Sequence, residues 1–271
     1  MNSFKLYRQS KKKINLSNYN MRNDIKKLLI NKKINASNNI SNNISNNISN
    51  NISNNNIKKY IINLKRRPDR LKKFYHNCPF DDVKIIYGFD GKNYEDESTY
   101  DKDKVNKFNK LKLGEIGCFI SHIRIYEYMI NNNIESVLIM EDDALFCDGF
   151  INKFNLVYNE IESNQNIIFI GGRFTPNYLT LKQNYINIPN KKYIIKHDKS
   201  SKSRDLDRTT HAYIIYKQCA LKLLNEFNKA SIITNHFDHW IIKILRKNNI
   251  DIHSTLPLLC HSPLVNDSDI R

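Results

Sequence analysis

The fold is decided by residues 134–148, which have the sequence IESVLIMEDDALFCD. The apolar run 137–140 stops abruptly at three carboxylates, Glu141, Asp142 and Asp143. A short apolar run bounded by polar residues is typical of a strand buried on both faces of a mostly parallel sheet. Adjacent carboxylates repel one another and lose hydration when buried, so the acidic triplet is expected at the strand's end.

Two interpretations of the acidic triplet compete. Open α/β sheets bind ligands at the carboxyl ends of their strands, and carboxylate oxygens suit a hard divalent cation that holds a diphosphate. A solvated turn after a buried strand explains the same residues. The triplet alone does not decide between a metal–diphosphate site and a turn, so the rest of the chain has to.

Length and composition limit the classes of protein. With 271 residues, the chain has room for one large domain or two small ones. No apolar stretch approaches the roughly 18–20 residues of a membrane span, and the N-terminus lacks the apolar core of a signal peptide. We therefore expect no membrane span and a cytoplasmic location, or the host cytoplasm or virion if the protein is viral.

The net charge of +16 is concentrated at the N-terminus. Residues 1–60 hold 12 Lys and Arg against one acid, whereas the other 211 residues hold 31 basic against 26 acidic residues. The folded part is therefore not expected to bind nucleic acid specifically. The basic tail is compatible with two roles, non-specific contact with an anionic surface or nucleic acid, and simple solubilisation.

Residues 1–57 differ in kind from the remainder. They contain Ser-Asn-Asn-Ile repeated four times at 37–52, a period that suits neither a strand nor a packed helix. We predict a disordered, low-complexity extension over 1–57 and a folded domain over 58–271. Five scattered cysteines without a Cys-x-x-Cys pair indicate reduced thiols rather than a structural zinc site.

The folded part alternates strand-like and helix-like segments, which predicts an α/β fold. Strands are expected at 60–64, 83–87, 137–140, 167–170 and 211–216, with a charged, irregular segment at 92–110 and a long irregular region at 173–208. A helix is predicted over 113–130 by its apolar spacing. Ser121 and His122 lie in this helix, but adjacent helical residues point about 100° apart and cannot pair as nucleophile and base.

Several short motifs follow one another along the folded part of the chain. They are Ile62-Asn63-Leu64, Arg67-Pro68-Asp69-Arg70, Phe89-Asp90-Gly91, Gly114-Glu115-Ile116-Gly117-Cys118 with Ser121-His122, Leu138 to Ala144, His211 to Ile215, Asp238-His239-Trp240, and Pro257 with Ser268-Asp269-Ile270. In this order the chain resembles glycosyltransferase family 25, which includes bacterial lipooligosaccharide and collagen hydroxylysine galactosyltransferases. The resemblance covers about residues 58–271.

The resemblance implies a GT-A fold, a Rossmann-like α/β domain with a mostly parallel central sheet, and a UDP-galactose or UDP-glucose donor. It also implies that the acidic triplet holds Mn²⁺ or Mg²⁺ on the donor's diphosphate. Asp143 is then expected as a direct ligand, with Glu141 or Asp142 assisting. Enzymes of this fold often take a further ligand late in the chain, for which His261 or His253 is the candidate, although the family more often has Gln near His261.

The family is regarded as inverting, which requires a base for the acceptor hydroxyl of a glycan or protein. Asp238 is the candidate base, the alternative being a helix N-cap, and Trp240 beside it could stack on a sugar. The resemblance further implies nucleotide-sugar contacts from Asn63, Arg67, Arg70, Asp90, Gly91, Ser121 and Asp142. The competing hypotheses are an inactive family member and a protein that binds nucleic acid through its basic tail.

Overall fold

The computed structural model describes residues 57–162, 166–172, 185–187, 189–197 and 209–262. Residues 1–56 of the predicted N-terminal extension and the motif at 268–270 lie outside these ranges, so the division of the chain at residue 57 stays a prediction. Within the described part, no helix combines the length and the apolar character needed to cross a membrane.

The described residues form six α-helices and eleven short strands. The helices are α1 (Pro68–Asn77), α2 (Thr99–Val105), α3 (Leu113–Asn131), α4 (Phe150–Glu160), α5 (Lys217–Lys229) and α6 (Phe237–Lys247), with a 3-10 helix at Gly91–Asp96. The strands are β1 (Lys58–Asn63), β2 (Lys84–Tyr87), β3 (Ser136–Glu141), β4 (Leu145–Phe146), β5 (Ile167–Phe169), β6 (Gly171–Gly172), β7 (Tyr185–Asn187), β8 (Ile194–His197), β9 (Ala212–Tyr216), β10 (His253–Thr255) and β11 (Cys260–His261).

Eight strands form the main sheet, in the order β2-β1-β3-β9-β5-β10-β8-β7. The predicted α/β class is confirmed, but the sheet is mixed. Six strands share one direction, whereas β9 and β8 run against them and are antiparallel to both of their neighbours. A smaller sheet has the order β4-β11-β6.

Two stretches that were expected to be irregular contain regular elements. The charged segment 92–110 contains most of the 3-10 helix and all of α2, which begins after the N-cap Ser98. The segment 173–208 contributes β7 and β8 to the edge of the main sheet. Both were missed because neither segment shows the apolar periodicity from which elements are recognised.

Strand β3 lies at the centre of the core. Its four apolar residues, Val137, Leu138, Ile139 and Met140, are each 0% exposed, as predicted for a strand covered on both faces. Helices α3, α5 and α6 pack together over one face of the sheet, where Val137 and Ile139 join their core. The alternation of side chains along a strand directs Leu138 and Met140 to the other face.

The core packing fixes the position of the acidic triplet. Strands β1 and β3 are parallel, and their register places Ile62 beside Glu141. Asn63 at the end of β1 and the triplet at the end of β3 therefore meet at one edge of the sheet. This is the edge at which the sequence predicts a ligand.

His253 gives the fold a predictable response to pH. It lies buried in β10, where burial lowers the pKa of its imidazole below the usual 6.5. The unfolded chain takes up a proton as the pH falls through about 6.5, whereas the folded chain resists it, so stability should be lost below that pH. Comparing about pH 7.5 with about pH 5, we expect His253→Gln to lose less unfolding free energy than the wild type. The control variant His76→Gln changes an exposed histidine and should lose as much unfolding free energy as the wild type between these two pH values. If His253→Gln also lost as much as the wild type, His253 would not be the source of the pH response.

Candidate active site

Asp142 is held by two side chains from β1 and α1. Its Oδ2 accepts a hydrogen bond of 2.7 Å from Asn63 Nδ2, and its Oδ1 lies 2.5 Å from Arg70 Nη2. Burial raises the pKa of Asp142 to about 7, although Arg70 and Asn63 favour the ionised form. Since both oxygens are engaged, Asp142 orients Arg70 and ties β1 to the triplet rather than offering a free oxygen to the pocket.

Glu141 faces the helices on the other side. Its Oε1 lies 3.2 Å from His122 Nε2 and 3.0 Å from Thr210 Oγ1, which donates to it. Burial would raise the pKa of Glu141, but the hydrogen bond from His122 and the nearby His211 outweigh burial and bring the pKa below its ordinary value. Glu141 is therefore the carboxylate of the triplet most readily kept ionised.

Asp143 and His211 each carry a buried polar atom to which no described residue makes a hydrogen bond. Asp143 Oδ2 lies 3.2 Å from Arg70 Nη2, but Asp143 Oδ1 and His211 Nδ1 are buried with no hydrogen-bond partner among the described residues. Burial and the neighbouring Glu141 raise the pKa of Asp143. Glu141, Asp143 and His211 each offer one atom to a group whose atoms all lie within 4.8 Å of one another. Since an unpaired buried polar atom is costly, this group fits a bound cation.

Asp238 is joined to this group through one hydroxyl. It lies in the first turn of α6, and its Oδ1 is 2.5 Å from Thr210 Oγ1, the same oxygen that contacts Glu141. A threonine hydroxyl has a single proton to donate, so the two carboxylates share one donor. The N-cap of α6 is His236, which excludes the alternative of Asp238 as the helix cap.

An open pocket of about 630 Å³ lies over the triplet. Its lining includes Arg66, Arg70, Asp90, Lys92, Cys118, Ser121, His122 and the three carboxylates. Asp90 caps the 3-10 helix by accepting from Lys92 N, and its Oδ2 accepts from Arg66 Nε at 2.8 Å. Arg66 and Lys92 thus bring positive charge to a pocket whose floor is acidic.

Gly91 shapes this pocket through close backbone contact. A Cβ at Gly91 would lie 2.1 Å from the carbonyl oxygen of Leu113, at the start of α3. Since backbone cannot yield as a flexible side chain can, we expect Gly91→Ala to lower the free energy of unfolding by about 2 kcal/mol or more. Gly149→Asn is the control, because a Cβ there meets nothing within 4 Å and Asn tolerates the left-handed backbone at φ 65°. Similar unfolding midpoints in denaturant for both variants would contradict the role of Gly91 in allowing close contact with the backbone of Leu113.

The remaining predicted residues take varied positions. Ser121 is buried, donates to Gly117 O at 2.6 Å and accepts from Phe89 N, so its hydroxyl holds the turn before Asp90. Arg67 makes a two-pronged ion pair with Asp69, which lowers the pKa of that carboxyl to about 2, and it does not line the pocket.

Two C-terminal candidates lie elsewhere than expected. His261 lies in β11, paired with Leu145 and Gly172, and belongs to neither group of candidate ligands among the described residues. Trp240 is 4% exposed and packs on Phe119 and Phe237 in the core, so its ring is not available to stack on a sugar.

Five residues of the site were not assigned roles from the sequence: Arg66, Lys92, His122, Thr210 and His211. Arg66 precedes Arg67 in the basic loop 65–67 before α1, and its contact with Asp90 directs it to the pocket. Thr210 and His211 directly precede β9, and Glu141 N donates to His211 O at 2.8 Å. The signal in the sequence that could have identified Thr210 and His211 is that this polar pair directly precedes the apolar run 212–216.

Comparison with known proteins places the chain in a family. The profile described as glycosyltransferase family 25 (LPS biosynthesis protein) matches residues 56–239. A glycosyltransferase 25 family member of Aedes aegypti is 39% identical over 100 residues, covering 32% of this chain and 16% of that protein. Human procollagen galactosyltransferase 2 is 29% identical over 187 residues, covering 63% and 28%.

A mimivirus protein is also similar. The procollagen lysyl hydroxylase and glycosyltransferase of Acanthamoeba polyphaga mimivirus is 26% identical over 193 residues, covering 62% of this chain and 19% of that protein. The matched segments span between 16% and 28% of the length of these three relatives. The profile match covers well over half of the chain and agrees with the motifs found in the sequence, and the chain therefore belongs to glycosyltransferase family 25.

Proposed function

We propose that this chain transfers a hexose, galactose or glucose, from a UDP-sugar to a hydroxyl group on a glycan or protein, with inversion and with Mn²⁺ or Mg²⁺. The observation that carries the proposal is the group formed by Glu141, Asp143 and His211, in which two buried polar atoms have no hydrogen-bond partner among the described residues. Galactose is favoured because the human relative is named a procollagen galactosyltransferase.

The proposed metal ligands are Glu141, Asp143 and His211, with His211 in the place that the sequence assigned to His261. A divalent cation there would offset the repulsion between carboxylates and diphosphate and stabilise the departing UDP. Asp142 would act indirectly by holding Arg70 against Asp143.

The pocket walls supply the remaining contacts. Arg66 and Lys92 line the same pocket, and their charges suit the phosphates of the donor. Asn63, Asp90 and Ser121 shape the wall through their hydrogen bonds to Asp142, Arg66 and Phe89. Gly91 allows the start of α3 to lie directly against the pocket wall.

Asp238 is the proposed base. It is only partly buried, and the Thr210 hydroxyl holds its carboxylate close to Glu141. A carboxylate in this position can accept the proton of an acceptor hydroxyl as the new glycosidic bond forms. The acceptor itself is open between a glycan and a protein side chain such as hydroxylysine.

A donor screen tests the proposal. Purified protein is incubated with Mn²⁺ and UDP-galactose, UDP-glucose or UDP-N-acetylglucosamine, and release of UDP is followed with and without EDTA. We expect release with a hexose donor, fastest with UDP-galactose, and its loss in EDTA with recovery on adding Mn²⁺. Turnover that EDTA leaves unchanged would remove the metal role, and no turnover with any donor would favour an inactive family member.

A further inference from the structure

We propose that Cys118, His122 and Glu141 form a second cation site in the same pocket, suited to a thiophilic divalent ion such as Zn²⁺. The three side chains each offer one ligand atom, and these atoms lie within 4.8 Å of one another. The two groups share Glu141. The second site adds the Cys118 thiol and the His122 imidazole, whereas the proposed Mn²⁺ group adds Asp143 and His211.

The helix geometry brings two of the ligands together. Cys118 and His122 are four residues apart in α3, so their side chains project from the same face of the helix. Glu141 reaches this face from the end of β3. A sulfur, a nitrogen and an oxygen therefore converge from two rigid elements, which limits how far the ligands must move to share one ion.

The imidazole of His122 is fixed in a ligand-like orientation. Its ring stacks on Phe237, with centroids 4.2 Å apart and planes at 6°. Its Nδ1 lies 2.8 Å from the hydroxyl of Tyr213, which in turn lies 2.8 Å from the hydroxyl of Tyr126. Metal-binding histidines use their second nitrogen in such a hydrogen bond, which leaves Nε2 for the ion. That Nε2 faces Glu141 Oε1 at 3.2 Å.

The distances and donor types suit zinc. With zinc bonds of about 2.0–2.3 Å in a tetrahedron, neighbouring ligand atoms are about 3.4–3.6 Å apart, so shifts of about an ångström suffice. Thiolate and imidazole ligands favour Zn²⁺, whereas a set of two carboxylates and one imidazole is better suited to Mn²⁺. Cys118 is half-buried and lines the pocket, so a fourth position would open toward solvent.

Binding requires the thiol proton to leave and the neutral His122 imidazole to carry its own proton on Nδ1, facing the Tyr213 hydroxyl, rather than on Nε2, facing Glu141. Burial, together with Glu141, Asp238 and Asp143, raises the pKa of the Cys118 thiol well above its ordinary value, so it is protonated before an ion enters. A cation that bonds to the sulfur displaces this proton to solvent, and the thiolate remains as ligand. The gain of a positive ion next to three carboxylates offsets the cost of ionising the thiol.

The consequence for transfer rests on the proposed function. Because Glu141 belongs to both groups, an ion at Cys118 and His122 would remove a ligand from the Mn²⁺ site. Zn²⁺ is therefore expected to inhibit transfer, and excess Mn²⁺ to restore it. The binding itself does not depend on transfer and is tested without a donor.

The test uses Cd²⁺ and Zn²⁺ alone on metal-free protein. Cd²⁺ should give a thiolate-to-metal charge-transfer absorption in the wild type and in Asp143→Asn, which retains all three proposed ligands. Cys118→Ser should lose the absorption and bind Zn²⁺ at least about 100-fold more weakly in calorimetry, since even outer partners of a metal site contribute 10–100-fold. Cys118→Ala provides a second variant should the serine disturb folding, which thermal unfolding reports.

Cys147→Ser is the matched control. Cys147 is also partly exposed, but its sulfur lies near Lys153 and near the buried Cys260, outside both candidate metal groups of the described residues. It should keep the absorption and the Zn²⁺ affinity of the wild type. An absorption that survives in Cys118→Ser and disappears in Cys147→Ser would overturn the proposal, as would its absence from the wild type. If the wild-type protein transfers no sugar with any metal ion but still binds Cd²⁺ as described, only the proposed function is overturned.

Discussion

Asp143→Asn is expected to lower Mn²⁺-dependent turnover of a UDP-sugar by about three orders of magnitude or more. A bound metal contributes several kcal/mol to stabilising a developing phosphate charge, and each 1.4 kcal/mol is about tenfold in rate. Asp143 Oδ1 is the buried carboxylate oxygen of the triplet without a hydrogen-bond partner among the described residues. A neutral amide in its place is a much weaker ligand for a hard cation.

The same substitution should leave the fold intact. Burial and Glu141 raise the pKa of Asp143, so its charged form is disfavoured in the folded protein. The amide relieves that repulsion and can still accept from Arg70, which lies 3.2 Å away. We therefore expect the metal-free variant to unfold at the wild-type temperature or above it.

Asp148→Asn is the control for Asp143→Asn. Asp148 is an exposed acid a few residues along the chain and belongs to neither candidate metal group of the described residues. It should retain wild-type turnover and Mn²⁺ affinity, both measured by UDP release and calorimetry. The assignment of Asp143 as a ligand is excluded if its variant turns over donor within a few-fold of the wild type at limiting Mn²⁺.

The sequence predicts the acidic edge of the site well because hydrophobic burial determines it. The run 137–140 has to be covered on both faces, so the carboxylates that follow it have to emerge at the end of β3. Asn63 follows another apolar run in the same way. Parallel pairing of β1 and β3 then brings the two ends together.

The direction of β9 explains why His211 was missed. In a mostly parallel sheet, the end of β9 at Tyr216 would lie beside the triplet and His211 would lie at the opposite edge. Strand β9 is instead antiparallel to β3, and its register pairs Ala212 with Met140. This reversal brings Thr210 and His211 against Glu141. A continuous apolar run such as 212–216 is typical of a parallel strand, so the amino-acid pattern favours the wrong direction for β9.

The basic loop before α1 shows a second limit of sequence reasoning. Arg66 and Arg67 are chemically identical neighbours, and a single backbone conformation, φ −112° and ψ 55° at Arg67, precedes the helix. Arg67 contacts Asp69, whereas Arg66 lines the pocket and holds Asp90. Residue type and spacing identify an anion-binding loop, but the tertiary contact with Asp90 decides which arginine faces the pocket.

Asp238→Asn is expected to lower kcat by about 10²–10⁴-fold, the usual contribution of a general base, while the KM for the donor and the affinity for Mn²⁺ stay near wild type. Asn can still accept from the Thr210 hydroxyl, now 2.5 Å from Asp238 Oδ1, so the first turn of α6 should keep its position.

Variants of Thr210 separate a base from a second metal ligand. Thr210→Ser keeps the shared hydroxyl and should resemble the wild type, whereas Thr210→Val removes it from both Glu141 and Asp238. Thr210→Val should therefore lower kcat less than Asp238→Asn does, because the base remains but is less well placed. If saturating Mn²⁺ restored the turnover of Asp238→Asn, the carboxylate would act on the metal side. If Asp238 is the proton acceptor, the turnover of Asp238→Asn should stay low at every Mn²⁺ concentration while its Mn²⁺ affinity is unchanged. The reason is that the substitution removes only the group that takes the proton as the glycosidic bond forms.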